Sequence, residues 1–357
     1  METGSEGVES SVEGRAEEER AKLVVVKPKP LNAETPLEAL AHTHTPTGSF
    51  FVRNNHPVPE LPAATHRIVV EGAVEEPFTL RLAELAQGPL RELTVTLECA
   101  GNGRALMAPL PEGEPWSKGA LGTAVWRGVP LSLVLGRARL RPEVVEVLIE
   151  GADGEGSKRF ARSLPLSKAL HPDTLLALEM NGAPLPREHG APVRLIVPGW
   201  YGMAHVKWVR RIEALTQPFA GYYQRERYIY DGGDGQALEP VTRIRVKSLI
   251  ISPASGTRVA PGRVVVQGLA WSGERRVVQV EVAVDGGETW KPATLVDTPK
   301  PSAWVRWAFT WEDAVPGRHT LRARATDEAG EMQPEAPRWN RLGYGNNSVQ
   351  VHMVEVG

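Results

Sequence analysis

Residues 93–109, "LTVTLECAGNGRALMAP", contain the only cysteine of a 357-residue chain. Leu93, Val95, Leu97 and Cys99 alternate with Thr94, Thr96 and Glu98, which is the period-2 pattern of a strand with one buried face. Ala-Gly-Asn-Gly-Arg follows, and that is turn chemistry. Cys99 is therefore expected as the last inward-facing residue of a strand, at the lip of a loop, where a metal or a substrate can reach the thiol. The alternative is a small buried hydrophobe.

On either side, "HRIVVEG", "VVEVLIEG", "TLLALEM", "VRLIVPG" and "HVKWVRRIEAL" read as further strands. Asn181-Gly182 supplies a hairpin signal after "TLLALEM". Short helices are expected over 36–42, 79–87, 130–136 and 165–170. Strands and helices do not alternate regularly, so a doubly wound parallel sheet is not expected. The part up to Tyr230 reads as α+β, and "DGGDGQALEP" at 231–240 reads as a linker. Beyond it, about seven closely spaced strands with Gly and Pro turns suggest an immunoglobulin-like β-sandwich. Within it Val278, Val280, Val282 and Val284 are expected on one face, followed by a turn at Asp285-Gly286. Trp304, Trp307 and Trp311 are expected as sandwich core and edge residues.

Bulk properties exclude several classes. With 41 basic and 43 acidic residues, the chain as a whole suggests no nucleic-acid or acidic-membrane partner. A single cysteine excludes an internal disulfide and any Cys-rich zinc or iron–sulfur site. No apolar run is long enough for a membrane span. Residues 1–21 are expected to be a disordered acidic tail, with seven glutamates among the first twenty positions and no apolar core of a secretory signal. The expected compartment is the cytoplasm for the chain as it stands, and the periplasm if a leader is missing. His42 and His44 form an HxH pair without partner carboxylates and are taken as surface or packing residues.

Five motifs then occur in order: "FFVRNNHPVP" at 50–59, "TLECAGNGR" at 96–104, "EGADG" at 150–154, "EMNGAPLPREHGAPVRLIVPGWYGMAHVKWV" at 179–209 and "PRWNRLGYGNN" at 337–347. In these the chain resembles the sulfite oxidase family of molybdenum enzymes. The resemblance implies an α+β molybdopterin-binding domain over 22–238 and an immunoglobulin-like dimerisation domain over 239–357. It implies molybdenum and molybdopterin as cofactors and no haem domain in front. It makes Cys99 the protein's ligand to molybdenum, in keeping with the affinity of soft thiolates for such a metal. The loop N–H groups and Arg104 are expected to favour its thiolate.

The same resemblance assigns the pterin to Phe51, Val52, Arg53, Asn54, Asn55, Asp153, His189, Arg194, His205, Val206 and Lys207. Arg194 and Lys207 suit a phosphate, and Asp153 suits pterin N–H groups. Asn55 stands where many relatives have histidine. Arg53 and Arg104 are implied as substrate ligands, Trp116 as a pocket wall and Tyr228 as the hydroxyl beside the metal. Arg341 lies one place early in its motif, which on an extended segment reverses its direction, so it is left out of the expected substrate site.

The implied reaction is oxidation of sulfite to sulfate by oxygen-atom transfer. Electrons go to an external acceptor such as cytochrome c, and the enzyme is a homodimer. Sulfoxide or nitrate reduction, or sulfane dehydrogenation, is the alternative on the same cofactor. A non-catalytic binding protein is a third reading, which leaves Cys99 and the pterin residues unexplained.

Overall fold

A computed structural model of the chain describes residues 23–231 and 239–357. The acidic tail at 1–21 and the linker residues 232–238 lie outside the described residues. The strand around the cysteine runs Arg91–Glu98 and pairs antiparallel along its length with Leu121–Pro130. Leu121–Pro130 continues antiparallel into Leu175–Met180, which also carries Ala183–Pro184 and Arg194–Ile196. Asn181 and Gly182, at φ of 51° and 77°, make the tight hairpin their pairing implies.

A second sheet has the order Phe78–Arg81, Arg67–Gly72, Val209–Leu215, Glu146–Gly151, Ala161–Pro165. In it Arg67–Gly72 and Val209–Leu215 run parallel, and the other neighbours are antiparallel. The helices are short, as foreseen, the longest α-helix described being Leu131–Ala138. Among the described residues, no helix is long and apolar enough to cross a membrane.

Three expectations about elements change. Leu121–Pro130 is a full strand that the sequence reading did not include. A Cβ on Gly128 would lie 2.2 Å from the Leu176 carbonyl oxygen, and one on Gly122 would lie 2.6 Å from the Phe50 ring. These glycines permit close approach within a sheet rather than ending it. The helix expected at 79–87 is the strand Phe78–Arg81 followed by a single turn, Leu82–Leu85, because Leu80 pairs into the second sheet. The strand expected from His205 begins only at Val209, after Trp208 at φ 55°.

The 239–357 part folds as two packed sheets in an immunoglobulin-like sandwich. One is Lys247–Ser252, Gly262–Trp271, Val305–Ala314, Thr294–Leu295, and the other is Arg258–Val259, His352–Val356, Gly317–Asp327, Val277–Ala283, Lys291–Pro292. Val266, Val280, Val282, Trp307 and Leu321 fill its core. Val278 is exposed, against expectation, because the pairing with Gly317–Asp327 shifts register between Val277 and Gln279. A one-residue bulge turns the next side chain to the other face. Trp304 leaves the sandwich core, giving its indole N–H to the Thr43 carbonyl at 3.2 Å.

The face of Arg91–Glu98 expected to meet solvent is buried as well: Thr96 is 2% and Glu98 1% exposed. The sandwich covers it. Glu98 Oε1 receives Lys247 Nζ at 3.1 Å and Asn102 Nδ2 at 2.9 Å, and Glu98 Oε2 receives the Trp271 indole at 2.9 Å. Lys247 also donates to the Asn346 carbonyl at 2.8 Å. Removing one partner of such a pair leaves an uncompensated buried charge, at a cost of about 3–5 kcal/mol. Lys247→Met is expected to lower the unfolding free energy by that much, read as a lower urea midpoint at unchanged m. Lys247→Met with Glu98→Gln is expected to recover part of the loss. Equal midpoints for wild type and the single variant would show the pair to be energetically idle.

Candidate active site

Two cavities meet at Cys99. The larger is lined on its polar side by Arg53, Asn54, Asn55, Asp153, His189, Arg194 and Lys207. The smaller is lined by Arg104, Glu114, Trp116, Arg227 and Tyr344. Arg53, Cys99 and Tyr228 border both. Cys99 follows directly on the last strand residue, and its N–H donates to the Ala120 carbonyl at 2.9 Å. Burial pushes its thiol up, while Arg53, Arg104 and the Gly101 N–H pull the other way. The expected preference for thiolate is thus outweighed by desolvation in the protein alone; a coordinated metal deprotonates such a thiol outright.

The floor of the larger cavity concentrates positive charge. Arg194 is 5% exposed, and its guanidinium donates to the His189 carbonyl at 2.9 Å and the His205 carbonyl at 3.3 Å. Burial lowers it to about 9. Lys207 donates to Asn54 Oδ1 and to the Glu188 carbonyl, and burial together with Arg194 holds it well below its ordinary value. Buried cations satisfied by neutral oxygens are matched to an incoming anion. Arg194 Nε and Asp153 Oδ1 are buried without a hydrogen-bond partner. An orphaned donor and an orphaned acceptor on one cavity wall suit a ligand carrying both polarities.

Residues 55–223 match the oxidoreductase molybdopterin binding domain, and residues 239–356 match the Mo-co oxidoreductase dimerisation domain. The chain is 38% identical over 339 residues to sulfite oxidase of Gallus gallus, covering 88% of this chain and 74% of that protein. The chain belongs to the sulfite oxidase family. It is also 38% identical over 346 residues to mitochondrial sulfite oxidase of Rattus norvegicus, covering 90% of this chain and 63% of that protein. NADH nitrate reductase of Solanum lycopersicum is 32% identical over 367 residues, covering 89% of this chain and 39% of that protein. Among solved structures, the sulfane dehydrogenase SoxCD of Paracoccus pantotrophus superposes with a TM-score of 0.84 at 33% identity, covering 92% of this chain and 85% of that one.

The cofactor of this family is molybdopterin carrying molybdenum, and the two cavities fit it. The larger offers the buried cations Arg194 and Lys207 and the orphaned Asp153 and Arg194 atoms to a phosphorylated heterocycle. Cys99, which borders both cavities, would be the soft donor to that metal.

The structure brings most of the expected residues together, with three refinements. Val52 and Val206 are buried and enter no cavity wall; their backbones pair with Ala33 and Leu195. His205 lines the larger cavity, but both ring nitrogens are engaged by backbone: Nδ1 accepts from the Val197 N–H at 3.1 Å and Nε2 lies 2.9 Å from the Trp200 carbonyl. Its imidazole orients the loop rather than a ligand. Arg341 turns outward to Asp231 at 2.8 Å and Glu112 at 3.2 Å, as its displaced position implied.

Arg227 and Tyr344 were missed. Tyr344 sits inside the 337–347 motif and Arg227 directly precedes Tyr228, but only the tertiary packing turns them toward the small cavity. Tyr344 stacks on Tyr228 with centroids 5.2 Å apart, and Arg104 lies over the Tyr344 ring at 5.1 Å. Trp208 and Tyr228 hold φ of 55° and 52°, a conformation unusual for large side chains and kept where the surroundings impose it.

Burial, and then Arg194, depress His205 to about 3. The unfolded chain binds a proton near pH 6.5 that the folded one refuses. This residue therefore makes stability fall with acid, by about 1.4 kcal/mol per pH unit, across the window from about pH 6.5 down to about 3. His205→Gln is expected to flatten the dependence of urea midpoints between pH 6.5 and 4.5 by one proton's worth. An unchanged slope would place the acid sensitivity elsewhere.

Proposed function

We propose that the chain oxidises sulfite to sulfate, SO₃²⁻ + H₂O → SO₄²⁻ + 2 H⁺ + 2 e⁻, and passes the electrons to an external acceptor, a c-type cytochrome. The observation that carries this reading is the guanidinium set around the small cavity beside Cys99. Arg53 and Arg104 give their N–H groups to carbonyl and amide oxygens rather than to carboxylates: Arg53 to Asn32 and Asn55, Arg104 to Leu342 and Glu114 at 3.0 and 2.7 Å. The Glu114 carboxylate turns away to Lys27 at 2.9 Å. Arg227 adds a third positive group to the wall. Such a cavity favours a small dianion over a neutral sulfoxide. When bound, the cofactor supplies the oxygen atom and accepts the two electrons. The chain's own residues bind and aim: the arginines hold the oxyanion, Trp116 closes the wall, and Tyr228 brings a hydroxyl between the two cavities. No general base is required of the protein.

The chain spans 63% of the length of the rat enzyme, so substrate and acceptor stand as proposals. A homodimer through residues 239–357 is proposed on the dimerisation-domain match. Sulfane dehydrogenation is the second reading, favoured by the SoxCD likeness and by the outward turn of Arg341.

Elemental analysis together with sulfite-dependent reduction of cytochrome c tests the proposal, and molybdenum-loaded protein without that activity would sink it. Cys99→Ser puts a hard hydroxyl in place of a soft ligand and is expected to abolish turnover while the fold survives. Arg104→Gln is expected to lower kcat/KM for sulfite roughly a hundredfold at unchanged molybdenum content, the loss of one charged hydrogen bond to a desolvated anion. An unchanged KM at full loading would remove Arg104 from the substrate site.

A further inference from the structure

Asn55 lines the larger cavity, and its amide joins two residues that border both cavities, Arg53 and Tyr228. Oδ1 accepts from Arg53 Nη2 at 2.7 Å, and Nδ2 donates to the Tyr228 hydroxyl at 3.3 Å. Chemistry fixes the direction of this chain, whichever way an amide is drawn. A guanidinium has donors and no acceptor, so the amide atom facing Arg53 is the oxygen. The NH₂ group then faces Tyr228, and the hydroxyl must accept from it. A phenol has one proton, so the Tyr228 proton points away from Asn55, into the space that Tyr228 shares with Arg53 and Cys99. The ring itself is held by stacking on Tyr344 and by the φ of 52° at Tyr228, so the hydroxyl has little freedom to re-aim.

We propose that Asn55 is a positioning residue for the substrate: it holds Arg53 and orients the Tyr228 hydroxyl as a donor toward the bound anion. This moves Asn55 from the cofactor side, where the family resemblance put it, to the substrate side. Its neighbour Asn54, on the same larger cavity, turns to different partners, giving Nδ2 to the Leu31 carbonyl at 3.0 Å and taking Lys207 on Oδ1. Because a carboxamide does not titrate, the Arg53–Asn55–Tyr228 polarity is the same at every working pH.

The proposal rests on the sulfite reading, and the test separates the two. The protein is the molybdenum-loaded full chain, read by molybdenum content, thermal midpoint, sulfite kinetics and calorimetric binding of sulfate. Asn55→Leu keeps the size and removes both bonds without adding charge. It is expected to raise KM for sulfite and Kd for sulfate about tenfold, with molybdenum content and midpoint at wild-type values. In a Tyr228→Phe background, most of that effect is expected to vanish, since the two residues act as one unit. Asn55→His, which offers one acceptor and one N–H donor, is expected to restore most of the affinity. Lost molybdenum at unchanged KM would return Asn55 to the cofactor and overturn the proposal. So would an Asn55→Leu effect of equal size with and without the Tyr228 hydroxyl. A wild type that neither turns over sulfite nor binds sulfate overturns the functional reading itself, and this inference with it.

Discussion

The ammonium of Lys247 and the carboxylate of Glu98, each side chain 2% exposed, meet at 3.1 Å across the boundary between the two domains. Taking both charges out of water is costly, and the arrangement stands because further bonds satisfy them. Trp271 and Asn102 complete Glu98, and the Asn346 carbonyl completes Lys247. Glu98 is the residue before Cys99, so the pair anchors the end of the strand that presents the thiol. It also brings the 340–347 segment against the 100–104 loop, where Gly345 N–H meets the Ala100 carbonyl and Asn346 Nδ2 meets the Gly103 carbonyl, each at 2.8 Å. Arg104 is aimed through the same contact, by way of the Leu342 carbonyl. The sandwich therefore completes the active site of the catalytic domain rather than standing beside it.

The second constraint is electrostatic. The chain as a whole has a net charge of −2, yet the two cavities gather Arg53, Arg104, Arg194, Lys207 and Arg227. The field is thus local, made by burial and not by overall charge. Burial lowers Arg194 and Lys207. Arg53 also loses solvation, but the ionisable Tyr228, Cys99 and Tyr344 groups around it more than offset that, and it is raised. Cations solvated by carbonyls form a site already organised for oxyanions.

The order of these features along the chain explains why the family is legible without coordinates. The stretches around Arg53, Cys99, Asp153, Arg194 and Tyr344 are short runs of characteristic residue types in a fixed order, and such runs are readable as local motifs. The period-2 rows, the Asn181-Gly182 hairpin and the change to closely spaced strands after residue 240 are likewise local properties, and they carried the α+β and sandwich classes. Leu121–Pro130 was hidden because its glycines resemble breaks until the strands beside them are seen. Val278 was misplaced because a bulge belongs to a pair of strands and not to one.

The sequence alone determined the fold class, the place of the thiol at a strand end and most of the residue types that line the two cavities, since each depends on side-chain chemistry and short-range periodicity. Only the tertiary structure decided that Glu98 faces a lysine from the second domain and that His205 spends both ring nitrogens on backbone. It also decided that Arg341 turns outward while Arg227 and Tyr344 turn in. The direction a side chain faces depends on which surface is packed against it. For Glu98, Arg341 and Tyr344 those surfaces come from segments more than a hundred residues away along the chain, whose meeting no local pattern encodes.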